Sequence, residues 1–259
     1  MSFFTYQNSA IRYDCYGRGA PLLFMHGLAA DRHQALATLA GLSGHRIIVV
    51  DMPGHGESAG SGCGFTYYAD IALALMAHLS IDTVCLGGIS MGAGIALCAS
   101  QRAPQRVSGL LLVRPAWLAE PASPHLDIIA RIGRWLASGP EYARCRLESD
   151  PEFIRIVANN PGAASSIHGA LTRAQAVSSA RILPAMVADR PINTIDILAT
   201  LPHPALVIGN EDDPLHPVAL ARTLATLLPG ARYHQVPSRY LAPKAHSQAL
   251  LTQIQAFLA

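Results

Sequence analysis

Short apolar runs that alternate with helix-forming stretches constrain the fold of this chain more than any other feature. The runs are rich in Val, Ile and Leu and lie at 11–16, 21–27, 46–51, 83–89, 107–113, 205–209 and 232–236. Helical patterns lie between or after them, at 67–79, 92–101, 217–228 and 245–258. This alternation is typical of a parallel sheet covered by helices on both faces. The sequence therefore predicts a doubly wound α/β fold with a mostly parallel sheet.

The stretch 116–199 interrupts this alternation. It carries helical patterns, many prolines and both tryptophans, Trp117 and Trp135, but no strand pattern. We therefore predict a core made of 1–115 and 200–259, with a helical cap inserted at 116–199. Aromatic side chains of the cap are candidates to line a substrate pocket; alternatively, they form the small core of the cap itself.

Composition narrows the classes of partner. The 259 residues carry a net charge of +2 with no basic cluster, which argues against nucleic acid. Neither a secretory signal nor an apolar stretch of roughly 20 residues is present, so no membrane partner is predicted. Five scattered cysteines without a CxxC spacing favour a reducing, cytoplasmic location and argue against a metal site. The expected partner is a small-molecule substrate, and the sequence leaves the oligomeric state open.

The segment Gly88-Ile89-Ser90-Met91-Gly92 matches G-x-S-x-G at the point where a strand pattern gives way to a small-residue helix. Glycines on either side of the serine remove side chains that would collide in a sharp turn. The amides at the start of the helix would face the serine oxygen and stabilise an oxyanion there. We therefore predict that Ser90 is a nucleophile.

With these motifs in this order, the chain resembles the α/β-hydrolase superfamily over nearly its whole length. The segment His26-Gly27-Leu28 resembles the family's oxyanion loop, and the resemblance implies an oxyanion hole made by the amides of Leu28 and Met91. We interpret His26 as a brace for that loop. The segment 51–58 resembles the family's D-x-P-G-x-G-x-S turn, which we interpret as structural.

The resemblance also implies a catalytic acid after the strand ending at Gly209 and a histidine after the last strand. Asp213 is favoured over Asp212 as the acid, because it stands in a D-x-x-x-P spacing with Pro217. His246 is favoured over His234 as the general base, although Ala245 replaces the glycine that usually precedes this histidine in the family.

The predicted function is hydrolysis of a small carboxylic ester by acyl-serine chemistry, with no metal or organic cofactor. Lactonase, thioesterase and carbon–carbon bond hydrolase activities use the same fold and stay open as alternatives. An alternative of another class is a non-catalytic small-molecule receptor on the same scaffold.

A last candidate is Arg114, which follows the apolar run 107–113 where the sheet leads into the insertion. One hypothesis is a structural ion pair with an acid of the cap, Glu120 or Asp127. The other is that its guanidinium binds an anionic or strongly polar group of the substrate, since strand ends line the ligand crevice of such folds.

Overall fold

A computed structural model describes residues 2–178 and 180–259 of the protein. Its central feature is a sheet of eight strands. The spatial order is β1-β2-β4-β3-β5-β6-β7-β8. The six strands β4, β3, β5, β6, β7 and β8 pair in parallel. At the edge, β2 pairs antiparallel with β4, and β1 pairs antiparallel with β2. The strands are β1 (Ser2–Tyr6), β2 (Ser9–Tyr16), β3 (Ala20–Met25), β4 (His45–Val50), β5 (Val84–Ile89), β6 (Val107–Val113), β7 (Ala205–Asn210) and β8 (Arg232–Val236).

Helices cover both faces of this sheet. Those connected with the core strands are α1 (Arg32–Thr38), α2 (Phe65–His78), α3 (Met91–Arg102), α9 (Val218–Leu227) and α10 (Pro243–Leu258). Side chains of β3 alternate between the two layers, as the period of a strand requires. Leu22 and Phe24 pack in the layer of α1 and α10, whereas Leu23 and Met25 pack in that of α2, α3 and α9. The central strands are therefore buried on both faces, which explains their continuous apolar sequence.

The predicted fold class is confirmed, and β6 and β8 have the predicted bounds. Two elements were not predicted, β1 and α1. Strand β1 is a short, partly exposed edge strand without an apolar run. Helix α1 has seven residues and buries the charged side chain of Arg32, so it lacks the apolar periodicity of a longer helix.

The described residues of 116–199 form five α-helices, besides short 3-10 turns, and no strand. They are α4 (Asp127–Leu136), α5 (Pro140–Glu148), α6 (Pro151–Asn159), α7 (Pro161–Thr172) and α8 (Ile182–Ala188). Prolines occupy the first position of α5, α6 and α7, where the missing amide costs no hydrogen bond. Within the described residues, no helix is both long enough and apolar enough to cross a membrane.

Candidate active site

Ser90 occupies the turn between β5 and α3 in a strained backbone conformation, with φ 56° and ψ −110°. A hydrogen bond of 2.9 Å from its amide to the carbonyl of Val113 fixes the turn against β6. A Cβ on Gly92 would lie 2.2 Å from the carbonyl oxygen of Met25, and one on Gly88 would lie 2.5 Å from the backbone of Gly92. Both glycines are thus required by close backbone packing, as predicted from the motif.

A histidine lies against this serine. His216 Nε2 is 2.8 Å from Ser90 Oγ, and the other ring nitrogen, Nδ1, is 2.9 Å from Asp213 Oδ1. Both His216 and Asp213 belong to the loop between β7 and α9, only three residues apart. Asp213 Oδ1 accepts a 3.1 Å hydrogen bond from the amide of Leu215, which holds the carboxylate in this loop. One short loop therefore presents an acid and a base to the serine.

The charges around the loop favour an ionised acid and a neutral base. Burial would raise the pKa of Asp213, but the neighbouring His216 and Arg114 outweigh it and hold the pKa well below its ordinary value. Burial lowers the pKa of His216, and Arg114 and Arg239 lower it further against the opposing effect of Asp213. A neutral imidazole can accept a proton from Ser90 at neutral pH.

His246 does not make the contact with Ser90 that the sequence analysis assigned to it; His216 does. Helix α10 begins at Pro243, so His246 lies in its first turn, and its Nδ1 is 2.9 Å from the carbonyl oxygen of Pro237. Its side chain is buried. In this structure His246 therefore ties the start of α10 to the end of β8.

Of the two aspartates weighed for the acid, Asp213 is the one beside the imidazole. Asp212 is exposed, with a left-handed φ of 51°, and its carbonyl oxygen accepts a 2.6 Å hydrogen bond from Asn160 of the insertion. Asp212 thus links the loop to Asn160, at the junction of α6 and α7, while the side chain of Asp213 faces His216.

His26 holds the loop at 26–28, the segment that the sequence analysis interprets as an oxyanion loop. His26 Nδ1 lies 2.8 Å from the carbonyl oxygen of Gly27, and His26 Nε2 accepts a 3.0 Å hydrogen bond from the amide of Met52. This histidine therefore braces the loop. Leu28 lines the cavity at Ser90, and Met91 is the first residue of α3, so its amide has no acceptor within the helix.

The turn at 51–58 is structural, as interpreted. Asp51 is fully buried and accepts hydrogen bonds from the amide and the guanidinium of Arg32, both at 2.7 Å, and from the amide of Glu57 at 2.9 Å. A Cβ on Gly56 would collide with the Asp51 carboxylate, so the carboxylate packs directly on the turn.

Arg114 and the two tryptophans lie in different environments. The ion pair of Arg114 is not with the cap acids considered above: its Nη1 lies 3.7 Å from Asp213 Oδ2, and Asp127 pairs instead with Arg131 at 2.6 Å. Trp117 is buried, lines the cavity at Ser90 and donates a 3.1 Å hydrogen bond to a carbonyl of α8. Trp135 is partly buried against the core, under the guanidinium of Arg146, and is not part of that cavity wall.

The cavity at Ser90 has a volume of about 160 Å³. Leu28 from the core lines it, as do Trp117 and Ile167 from the stretch 116–199. Two further residues of its wall, Arg239 and Tyr240, come from the loop after β8 and were not predicted from the sequence. His216 was not predicted either, although two signals were visible in the sequence: the spacing Asp213-x-x-His216 and the missing glycine before His246.

Comparison with known proteins identifies the family to which the chain belongs. A family model described as "alpha/beta hydrolase fold" matches residues 20–239. The chain is 31% identical over 212 residues to the "Dihydrolipoyllysine-residue acetyltransferase component of acetoin cleaving system" from Pseudomonas putida. That match covers 79% of this chain and 55% of the relative, so the chain spans about half of that protein.

Two further matches cover most of both partners. The "2-hydroxymuconate semialdehyde hydrolase" from Pseudomonas sp. (strain CF600) is 29% identical over 231 residues, covering 84% of this chain and 79% of the relative. The structure of a thermophilic esterase from Thermogutta terrifontis superposes with a TM-score of 0.75 at 24% identity, covering 97% of this chain and 95% of that one. The sheet order, the serine turn and the family match over residues 20–239 lead to one conclusion: this chain belongs to the alpha/beta hydrolase family.

Proposed function

We propose that this protein is a serine hydrolase that cleaves a small carboxylic ester through an acyl-serine intermediate. Ser90 is the nucleophile, His216 the general base and Asp213 the acid that orients the imidazole. The 2.8 Å contact between Ser90 Oγ and His216 Nε2 carries this proposal, because a serine hydroxyl is a weak nucleophile unless a base takes its proton.

The reaction follows from this arrangement. As Ser90 Oγ attacks the carbonyl carbon, its proton passes to His216 Nε2, and the carbonyl oxygen becomes an oxyanion held by the amides of Leu28 and Met91. The C–O bond to the alcohol breaks and His216 returns the proton to the leaving oxygen. In the second half, His216 takes a proton from water, whose oxygen attacks the acyl carbon. The bond between the acyl carbon and Ser90 Oγ then breaks, His216 returns the proton to Oγ, and the free acid leaves.

The amide of Gly27 is not available for the oxyanion, which supports the assignment of Leu28. Gly27 N donates a 2.7 Å hydrogen bond to Gln34 Oε1, and its carbonyl oxygen accepts one from the amide of Ala30 at 3.1 Å. The loop is thereby held on both sides of the glycine. Leu28, the next residue, lines the cavity beside the nucleophile.

Labelling by a fluorophosphonate probe and hydrolysis of p-nitrophenyl esters test the proposal together. Ser90→Ala should abolish labelling, and His216→Ala should lower labelling rate and kcat/KM by several orders of magnitude. Adding His216→Ala to Ser90→Ala should cost little more, because the pair acts as one unit.

His246→Ala is the matched control for the base. We expect it to lower the melting temperature through loss of the bond to Pro237 while the labelling rate falls far less than in His216→Ala. A severe loss in His246→Ala with near-normal labelling of His216→Ala would return the role of base to His246. A panel of esters, lactones and thioesters, each corrected for the Ser90→Ala rate, decides which acyl derivative is preferred.

A further inference from the structure

Four neighbouring strands of the sheet deliver side chains to the cavity from their carboxyl ends. Ser90 follows β5, Arg114 follows β6, His216 lies in the loop after β7 and Arg239 lies in the loop after β8. Two of the four are permanent cations. Among the described residues that line the cavity there is no carboxylate, since Asp213 lies behind His216.

Arg114 is a buried cation whose hydrogen-bonding capacity is only partly used. Its side chain is 6% exposed, and two of its nitrogens, Nε and Nη1, make no hydrogen bond within the described part of the chain. The nearest carboxylate oxygen, Asp213 Oδ2, is 3.7 Å from Nη1, beyond good hydrogen-bond distance. Burial and the charge of Arg239 lower the pKa of Arg114 to about 10, which still leaves it charged at neutral pH.

Arg239 is the second guanidinium at the cavity, and it forms no ion pair with a carboxylate among the residues 2–178 and 180–259. It stacks on the ring of Tyr240, with its Cζ 4.7 Å from the ring centroid. The loop that carries both is ordered by a turn in which the carbonyl of Ser238 accepts a 3.0 Å hydrogen bond from the amide of Ala242. Tyr240 in turn packs on α7, where Gly162 allows the close approach. Arg239 is therefore held at the cavity wall rather than free in solvent.

The charges at the cavity do not balance. Arg114 and Arg239 contribute two positive charges, Asp213 contributes one negative charge, and His216 is neutral in the resting base form. The two guanidiniums repel each other, and the charge of Arg239 adds to burial, the larger cause, in lowering the pKa of Arg114. A buried cation with unpaired donors is costly, and a ligand that brings one negative charge and planar acceptor oxygens removes that cost.

We propose that the substrate carries a carboxylate, which Arg114 and Arg239 bind at the wall of the cavity. This inference rests on the proposed ester hydrolysis at Ser90. The preferred class is short esters of this kind, such as half-esters of small dicarboxylic acids. Size fits this class, because a cavity of about 160 Å³ is comparable with one that admits a single benzene-sized molecule. In this arrangement the loop after β8 supplies substrate recognition, while the base comes from the loop after β7.

The test compares two esters of equal length, 4-nitrophenyl hydrogen glutarate and 4-nitrophenyl pentanoate, each corrected for the Ser90→Ala rate. We expect Arg239→Gln to lower the ratio of the two kcat/KM values, anionic over neutral, by about ten- to a hundredfold, the range for one hydrogen bond to a charged group. Arg239→Lys keeps the charge but not the fork and should restore part of the ratio. The matched control is Arg222→Gln, an exposed arginine stacked on Tyr233 in the same way, which should leave the ratio unchanged.

Glutarate binding to the Ser90→Ala protein, measured by calorimetry, separates this inference from the proposed function. If Arg239→Gln weakens glutarate binding by a factor similar to its effect on the ester ratio, the anion site is supported. That holds even if the protein cleaves no ester, because absence of cleavage would refute only the hydrolase proposal. Equal losses on both esters in Arg239→Gln, or no detectable glutarate binding to Ser90→Ala, would overturn the inference while leaving ester hydrolysis intact.

Discussion

Replacing Asp213 by Asn tests the acid of the proposed site most directly. The change keeps the shape of the side chain but removes the charge that faces His216 Nδ1 at 2.9 Å. When Ser90 attacks, the imidazole becomes positive, and at an effective dielectric constant of about 20 this pair is worth about 6 kcal/mol. Each 1.36 kcal/mol is a factor of ten in rate, so we expect kcat/KM to fall by about four powers of ten.

Arg114 makes this loss harder to compensate. Its guanidinium lies 3.7 Å from the other carboxylate oxygen, and without the aspartate charge it would oppose the positive imidazole. The assay is steady-state hydrolysis of a p-nitrophenyl ester, with folding checked by circular dichroism. Asp212→Asn is the control, because Asp212 is exposed and its left-handed backbone suits Asn; we expect less than about a threefold change. If the two variants were equally impaired, or if Asp213→Asn lost less than about tenfold, the assigned role of Asp213 would be refuted.

Three further outcomes are expected. Because the pKa of His216 is lowered by burial and by nearby arginines, kcat/KM should hold through neutral pH and fall only below the ordinary histidine value of about 6.5; a pH profile with a higher midpoint contradicts this. Gly92→Ala should lower the free energy of unfolding by about 1–3 kcal/mol or prevent folding, since its Cβ would meet backbone. Gly169→Ala, which has open space around it in α7, should raise the free energy of unfolding by about 0.4–1 kcal/mol, as measured by urea unfolding. Trp117→Ala should change the preferred acyl length in an ester series, while Trp135→Ala, outside the cavity wall, should change only the melting temperature; the reverse pattern would exclude Trp117 from substrate contact.

The sheet was predictable because its signal is local. A strand buried on both faces must be apolar throughout, and a run such as that of β6 can be recognised without knowing its neighbours. The position of Ser90 was predictable for a related reason: a strained turn between a strand and a helix needs glycines at fixed offsets. In both cases the requirement leaves a pattern within a few residues of the chain, even though Gly92 packs on the backbone of Met25 in a different strand.

The partner of Ser90 was not predictable in this way. Both His216 and His246 follow parallel strands of the sheet, so both lie toward the same edge. Which ring reaches the serine depends on where α10 begins and on the carbonyl of Pro237, which holds the ring of His246. The partner of Arg114 depends on the same kind of long-range packing, because Asp127 is already paired with its neighbour on α4.

The separation of base and recognition between two loops has a chemical consequence. Because Asp213 and His216 are three residues apart in one loop, a shift of that loop as a unit moves the acid and the base together and keeps their 2.9 Å contact. The loop after β8 then carries no group that must accept a proton, and substitutions at Arg239 or Tyr240 alter what the cavity binds without removing the base. Electrostatic binding of a remote substrate group raises kcat only when it also positions the reacting carbonyl. The buried guanidinium of Arg114 and the stacked guanidinium of Arg239 are both fixed in place, so they are suited to that positioning.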